Sequence, residues 1–139
     1  MKNIFDLLGR LFLSFIFFWE AFDSINYFKE TKAQMTEYGL TKSQDLLLYG
    51  AIFCLIFGAT LLLSGYRAKF GATLLLIYLV PVTFIAHDFW TFPISERRLE
   101  GIMFMKNMAI IGGLMMVFAN GVGKYSIKRL FATSRIRNR

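Results

Sequence analysis

The chain has 139 residues, of which 56% are hydrophobic and only 18% are charged, and its mean hydropathy is +0.51. A soluble domain of this length carries far more polar surface, so the composition predicts an all-α membrane protein. Cys54 is the only cysteine and His87 the only histidine. A disulfide within the chain is therefore excluded, and we expect no haem, iron–sulfur or zinc site.

Four apolar runs predict four transmembrane helices in one domain, residues 1–139, at about 4–23, 46–66, 69–87 and 101–123. Each run approaches or exceeds the roughly 17 residues that cross a hydrocarbon core of about 30 Å. The second run contains no charged residue, whereas the first carries Asp6, Arg10 and Glu20. The pattern predicts a four-helix bundle followed by a basic tail at 124–139.

The segments between the runs differ in length and character. Residues 24–44 have mixed charges and predict a partly helical connection on the outer side. Residues 65–69 predict a tight turn on the side of the termini. Residues 87–100 predict a second outer loop, in which Ser95 and Glu96 open the fourth helix.

Small residues recur every four positions within two of the runs. Gly50, Cys54 and Gly58 do so in the second run, and Ala109 and Gly113 do so in the fourth. Small side chains at this spacing let helix backbones approach closely in a bilayer, where the hydrophobic effect does not drive helices together. We expect both stripes to lie at helix contacts.

Charge asymmetry predicts the orientation. Four spans place both termini on one side, and that side would carry ten of the 16 lysines and arginines. The positive-inside rule then puts both termini in the cytoplasm, with the protein as a multi-pass component of the bacterial inner membrane. The basic tail favours contact with anionic lipid. It lacks any organisation for reading a groove, so we expect no nucleic-acid partner.

Lys106 lies inside the fourth apolar run, where a charge costs a few kcal/mol. The predicted topology puts six polar residues in one leaflet. These are Glu20, Asp23, His87, Asp88, Lys106 and Asn107. A carboxylate from Glu20 would offset the Lys106 charge, and His87 or Asn107 would complete a hydrogen-bonded network.

This predicted cluster has three interpretations. It is a structural ion pair that fixes the bundle, or a pocket for the head of a quinone or another amphipathic ligand. In the pocket, His87 would donate or accept a proton, because imidazole titrates near neutral pH. Solute translocation is the weakest interpretation, since the charges concentrate at one end of the helices.

Several stretches resemble one family of membrane proteins. They are His-Asp-Phe-Trp at 87–90, residues 104–114, Arg10-Leu11, Phe18-Trp19 and the passage 58–69. Together they resemble the DoxX family of small bacterial four-helix membrane proteins. The resemblance carries over His87, Asp88, Lys106 and Asn107, whereas Glu20 and Asp23 come from the topology.

The family is similar to the DoxD-type subunit of an archaeal thiosulfate:quinone oxidoreductase. That likeness implies a quinone-linked membrane subunit, with quinone or quinol as its cofactor class. The chain would then be at most one subunit of an oxidoreductase, working with the lipid bilayer and with membrane or peripheral protein partners or further copies of itself. A structural or assembly subunit is the alternative, and a small-solute transporter is less favoured.

Overall fold

The computed structural model describes residues 2–127, which form five α-helices. The helices are α1 (Lys2–Asn26), α2 (Phe28–Glu37), α3 (Gln44–Ser64), α4 (Ala68–Ala86) and α5 (Ile94–Asn120). No strand occurs in this range. The all-helical prediction is confirmed. Residues 128–139, which hold most of the predicted basic tail, lie outside the described residues.

Three helices are long and apolar enough to cross a membrane, namely α3, α4 and α5. They correspond to the second, third and fourth predicted runs, so the prediction of a membrane protein is supported. The 25-residue helix α1 is of similar length, but its charges, which include Asp6, Arg10, Glu20 and Asp23, are spread along it. Those of α5, apart from Lys106, lie between residues 96 and 100. Length and composition therefore identify three spanning helices, one fewer than the number of runs.

The helix bounds differ from prediction mainly at the start of α5. This helix begins at Ile94 rather than near 101, which shortens the second outer loop to residues 87–93. Pro93 at the N-cap loses no helical hydrogen bond, and the Glu96 carboxylate in the first turn suits the positive end of the helix dipole. In the first connection, α2 confirms the partly helical prediction.

Helices α3 and α4 pack together in the middle, with α1 against α3 and α5 against α4. Direct contact between α1 and α5 is sparse. We call the end that holds the start of α1 and the end of α5 the Arg10 end, and the opposite end the His87 end. The buried core joins four helices: Phe17 and Ala21 of α1, Leu55, Ala59 and Leu62 of α3, Ala72 and Leu75 of α4, and Leu114 of α5.

Two glycines allow the close approach of α3 and α4. A Cβ atom on Gly71 would lie 2.7 Å from the carbonyl oxygen of Gly58, and one on Gly58 would lie 2.9 Å from the Leu75 side chain. The predicted small-residue contact therefore holds at Gly58. It does not hold at Gly50, where a Cβ would meet nothing within 4 Å, because that part of α3 faces outward.

Helix α1 has the reverse of the pattern of a soluble amphipathic helix. Its buried face consists of Arg10, Ser14, Phe17, Ala21 and Ser24. Its exposed face is a stripe of large aromatic side chains: Phe5, Phe12, Phe15, Trp19 and Phe22. Phe12 is 71% exposed, whereas Arg10 is 1% exposed. In water this stripe would turn inward, so its outward position gives α1 a surface suited to lipid.

Candidate functional site

The six residues of the predicted cluster all lie towards the His87 end. Glu20 and Asp23 are in the last two turns of α1, His87 caps α4 and Asp88 follows it, and Lys106 and Asn107 are in the outer half of α5. Within residues 2–127, however, no ion pair or side-chain hydrogen bond joins any two of the six. The structure instead gives two of them partners that sequence analysis did not identify.

Glu20 of α1 pairs with a tyrosine of α4. The hydroxyl of Tyr78 donates a hydrogen bond to Glu20 Oε1 at 2.9 Å. Both side chains are at least partly buried, so the contact joins two helices inside the bundle. Tyr78 lies in a run of aliphatic residues, and its hydroxyl was the only feature of the sequence that indicated a polar contact there.

His87 pairs with Glu100. The distance from His87 Nδ1 to Glu100 Oε2 is 2.7 Å, and the two side chains are 26% and 20% exposed. Glu100 was missed because the prediction placed it in a loop. In α5 as observed, Glu100, Phe104, Asn107 and Ile111 follow a spacing of four, three and four residues. That spacing puts them on the face that packs against α4.

Aromatic side chains surround the His87–Glu100 pair. The Phe89 ring packs edge-on against Phe104 and Trp90, with ring centroids 5.5 and 5.2 Å apart. Tyr38, at the end of α2, approaches from the first connection. Partial burial raises the pKa of the Tyr38 hydroxyl, and the Glu100 carboxylate raises that pKa further. The pair therefore sits half-buried between aromatic rings and a phenol.

The predicted pairing of Lys106 with Glu20 is not formed. Lys106 is exposed on the outward side of α5 and makes no ion pair or side-chain hydrogen bond with any residue from 2 to 127. The physical reason is the rotation of α5, which turns Lys106 outward, while the Glu20 carboxylate accepts a hydrogen bond from Tyr78 of α4. Asp23 is also exposed, while Asp88 and Asn107 are half-buried.

Lys106 lines an open groove on the outward face of α5. The groove has a volume of about 800 Å³. Its cations are Arg97, Arg98 and Lys106, and its floor includes Gly101, Ile102 and Met105. We call this surface the α5 groove. Its cations lie on the other side of α5 from Glu100, and neither His87 nor Glu100 lines it, although Phe89 lies at its edge.

A second polar constellation, at the Arg10 end, was also missed. Arg10 Nε donates to Asp6 Oδ2 at 3.1 Å, and Arg10 Nη1 donates to the carbonyl of Leu63 at 2.8 Å. Arg10 Nη2 donates to the carbonyl of Tyr125. One buried guanidinium thus joins α1, the end of α3 and the segment after α5.

The segment after α5 is also held from α1. Asp6 Oδ2 accepts a hydrogen bond from the backbone N–H of Gly123 at 3.0 Å, and Asn3 Oδ1 accepts one from Lys124 at 3.0 Å. The sequence signal was the four-residue spacing of Asp6 and Arg10, which puts opposite charges on one helix face. Nothing in the sequence indicated the contacts of Arg10 with the backbone carbonyls of Leu63 and Tyr125.

Comparison with known proteins places the chain in a family. The DoxX family model matches residues 5–88, which is more than half of the chain. This chain belongs to the DoxX family. The predicted resemblance is therefore confirmed, although the match ends at Asp88. It covers Arg10, Tyr78 and His87 but does not reach Glu100 or Lys106.

Two relatives come from yeasts. Over 65 residues, or 45% of this chain and 22% of the relative, the chain is 34% identical to the Surfeit locus protein 4 homolog of Schizosaccharomyces pombe. Over 72 residues, or 52% of this chain and 23% of the relative, it is 29% identical to the ER-derived vesicles protein ERV29 of Saccharomyces cerevisiae. The aligned part is less than a quarter of either relative. No solved structure matches this chain.

Proposed function

We propose that α1 is a fourth membrane span. Its 25 residues extend about 37 Å at 1.5 Å per residue, which exceeds a hydrocarbon core of about 30 Å. Its aromatic stripe faces outward, and its deepest charge, Arg10, is buried against Asp6 and backbone carbonyls. The helix therefore presents an apolar face to lipid despite its charged residues.

With four spans, both termini lie on the same side, and the positive-inside rule makes that side cytoplasmic. Arg67 and Lys69, in and after the turn between α3 and α4, lie at the same end as Lys124. The resemblance to DoxX proteins favours the bacterial inner membrane as the location. A reporter fused after Arg139 should read as cytoplasmic, and an extracytoplasmic signal would overturn this orientation.

We further propose that the chain is a quinone-binding subunit of a membrane redox complex, with the His87–Glu100 pair at its site. The observation that carries this proposal is the 2.7 Å contact between His87 Nδ1 and Glu100 Oε2. When Glu100 accepts a hydrogen bond from His87 Nδ1–H, the unprotonated Nε2 of the neutral imidazole is left as an acceptor for a ligand hydroxyl. A carboxylate-oriented imidazole of this kind is suited to receive a proton from a bound quinol.

Oxidation of a quinol to a quinone releases two electrons and two protons. The His87–Glu100 pair offers acceptors for protons, while the electrons would pass to a redox centre of a partner subunit. The Phe104 ring, one turn after Glu100 on the same face of α5, supplies flat apolar surface for a quinone head. The chain would thus contribute binding and proton acceptance to the complex.

Photolabelling with an azido-quinone tests this function in purified protein. His87→Gln removes the imidazole Nε2 that would accept from the ligand, and Glu100→Gln replaces the charged acceptor of His87 Nδ1–H by a neutral amide. Each should reduce labelling, by about tenfold for His87→Gln and by less for Glu100→Gln. Glu96→Gln is the matched control, since Glu96 is exposed one turn before Glu100. Equal labelling of all the variants, with thermal unfolding unchanged, would overturn the proposal.

The second candidate is a structural or assembly subunit. It is favoured by the Tyr78–Glu20 and His87–Glu100 contacts, each of which joins two helices. The names of the two yeast relatives also refer to vesicles or to a genetic locus rather than to redox chemistry. If His87→Gln lowers thermal stability and recovery of partner proteins, and the unmodified protein takes no quinone label, this second function is supported.

A further inference from the structure

The α5 groove combines unneutralised positive charge with an apolar floor. We propose that it binds one acidic phospholipid, whose phosphate is held by Arg98 and Lys106 and whose acyl chain lies along Ile102 and Met105. This site lies on the outward face of α5, away from the His87–Glu100 pair. It therefore goes beyond the proposed function and stands whether or not a quinone binds.

The groove residues share one helix face by their spacing. Arg98, Ile102 and Lys106 follow each other at four-residue intervals, and Arg97, Gly101 and Met105 form the neighbouring row. At Gly101 a Cβ atom would lie 3.7 Å from the Phe89 ring, so this ring packs against the glycine and forms one wall of the groove. A single acyl chain can therefore lie along the groove beside the cations.

The charges of the groove are not neutralised from within residues 2–127. The ion pairs in that range are Arg10–Asp6, Lys32–Asp45 and His87–Glu100, and none of them involves a groove cation. Glu100, which could have neutralised Arg97 three residues earlier on the helix, contacts His87 instead. Lys106, in an apolar stretch of a spanning helix, thus has a strong electrostatic preference for an anion.

The spacing of the cations suits a lipid phosphate. Arg98 and Lys106 are separated by about 12 Å along the helix axis. Long side chains in a helix lean towards its N-terminus, which for α5 is the His87 end. The Lys106 ammonium is therefore drawn towards the membrane surface, as a snorkelling lysine is, and Arg98 reaches the same phosphate by extending back along the helix towards Lys106.

Charge complementarity distinguishes this occupant from others. The head of a quinone is neutral and would leave the three cations without a counter-charge. A soluble anion would neutralise them but would leave Ile102 and Met105 uncovered. An acidic phospholipid supplies a phosphate for charge-assisted hydrogen bonds and a chain for the apolar floor.

Native mass spectrometry of the purified chain with phosphatidylglycerol and chain-matched phosphatidylcholine tests the proposal. We expect the unmodified protein to retain phosphatidylglycerol preferentially. The double variant Arg98→Gln/Lys106→Gln should retain at least about tenfold less phosphatidylglycerol than the unmodified protein, because it removes two charge-assisted contacts. The control Lys29→Gln/Lys42→Gln removes the same charge from two exposed lysines outside the groove and should retain the lipid.

Three results would overturn the proposal. They are equal retention of both lipids by the unmodified protein, unchanged retention by the groove variant, and displacement of phosphatidylglycerol by inorganic phosphate. A dimer that forms without lipid and is lost in the groove variant would also overturn it, since the groove would then be a protein interface. Each result is read on protein with normal thermal unfolding.

A second measurement uses the unaltered groove. Trp90 contacts Phe89, a groove residue, with ring centroids 5.2 Å apart. In a Trp19→Phe protein, Trp90 is the remaining tryptophan. Phosphatidylglycerol with brominated chains should quench its fluorescence more than brominated phosphatidylcholine at equal mole fraction. Equal quenching would count against the site even if the double variant failed to fold.

Discussion

Arg10 and Lys106 are both cations within long, largely apolar helices, and their surroundings are opposite. Arg10 is buried and donates to one carboxylate and to backbone carbonyls from two distant segments. Lys106 is exposed on the outward face of α5, with no ion pair within residues 2–127. The Arg10 charge is neutralised within the bundle, whereas the Lys106 charge is open to a counter-charge from outside the described residues.

The chemistry of the two side chains explains the difference. A guanidinium has five donors in a rigid plane, so Arg10 can serve several acceptors at once. Its acceptor at Leu63 is one of the last carbonyls of α3, which lack helical partners. A lysine is a point charge on a flexible stem and reaches towards the membrane surface instead. The Arg10 end is therefore closed by polar contacts, whereas the His87 end presents an open groove.

The largest expected effect comes from removing the Arg10 guanidinium. Arg10→Met leaves the Asp6 carboxylate without its counter-charge and the carbonyls of Leu63 and Tyr125 without the guanidinium donor. The free energy of unfolding should fall by about 3–5 kcal/mol, as it does when one partner of a buried ion pair is removed. The measurement is thermal or denaturant unfolding in mild detergent, and a loss below about 1 kcal/mol would contradict the role given to Arg10.

Gly71→Ala tests the packing that brings the end of α3 within reach of Arg10. The added Cβ would lie 2.7 Å from the Gly58 carbonyl oxygen, so α3 and α4 must separate. We expect a loss of about 1–3 kcal/mol in the free energy of unfolding. Gly50→Ala is the matched control, because a Cβ there meets nothing within 4 Å. Equal effects of the two substitutions would show that this close approach is not required.

Tyr78→Phe tests a single contact towards the His87 end. The substitution removes the hydroxyl that donates to Glu20 Oε1, and it keeps the ring. We expect the free energy of unfolding to fall by about 1–2 kcal/mol, since a hydrogen bond to a charged group is lost. Glu20→Gln, which retains an acceptor for that hydroxyl, should cost less in the same unfolding assay. The reverse order would contradict a Tyr78–Glu20 hydrogen bond.

Lys106→Met should have the smallest effect on stability. Because Lys106 has no partner among the described residues, its removal should leave the midpoint of thermal unfolding in lipid-free detergent close to that of the unmodified protein. A destabilisation as large as that of Arg10→Met would break the contrast between the two cations. Added phosphatidylglycerol should raise the midpoint of the unmodified protein more than that of the variant.

Sequence patterns predicted the apolar helices well because hydropathy is a local property. Helices α3 and α4 match the second and third runs to within a few residues. The start of α5 was set too late, and this error concealed Glu100 as the partner of His87. The pairing of Lys106 with Glu20 followed from charge and depth alone. It fails because Lys106 lies on the outward face of α5 and Glu20 is engaged by Tyr78 of α4.

The sequence by itself determined that this is an all-helical membrane protein of the DoxX family. Long apolar runs leave no other way to satisfy backbone hydrogen bonds in lipid. Only the tertiary structure decided which polar groups meet, because that depends on the order and rotation of the packed helices. Asp6 and Arg10 share a helix face at four-residue spacing, but the carbonyls of Leu63 and Tyr125 reach Arg10 only in the folded bundle. The same packing turns Glu100 towards His87 and leaves Lys106 facing outward.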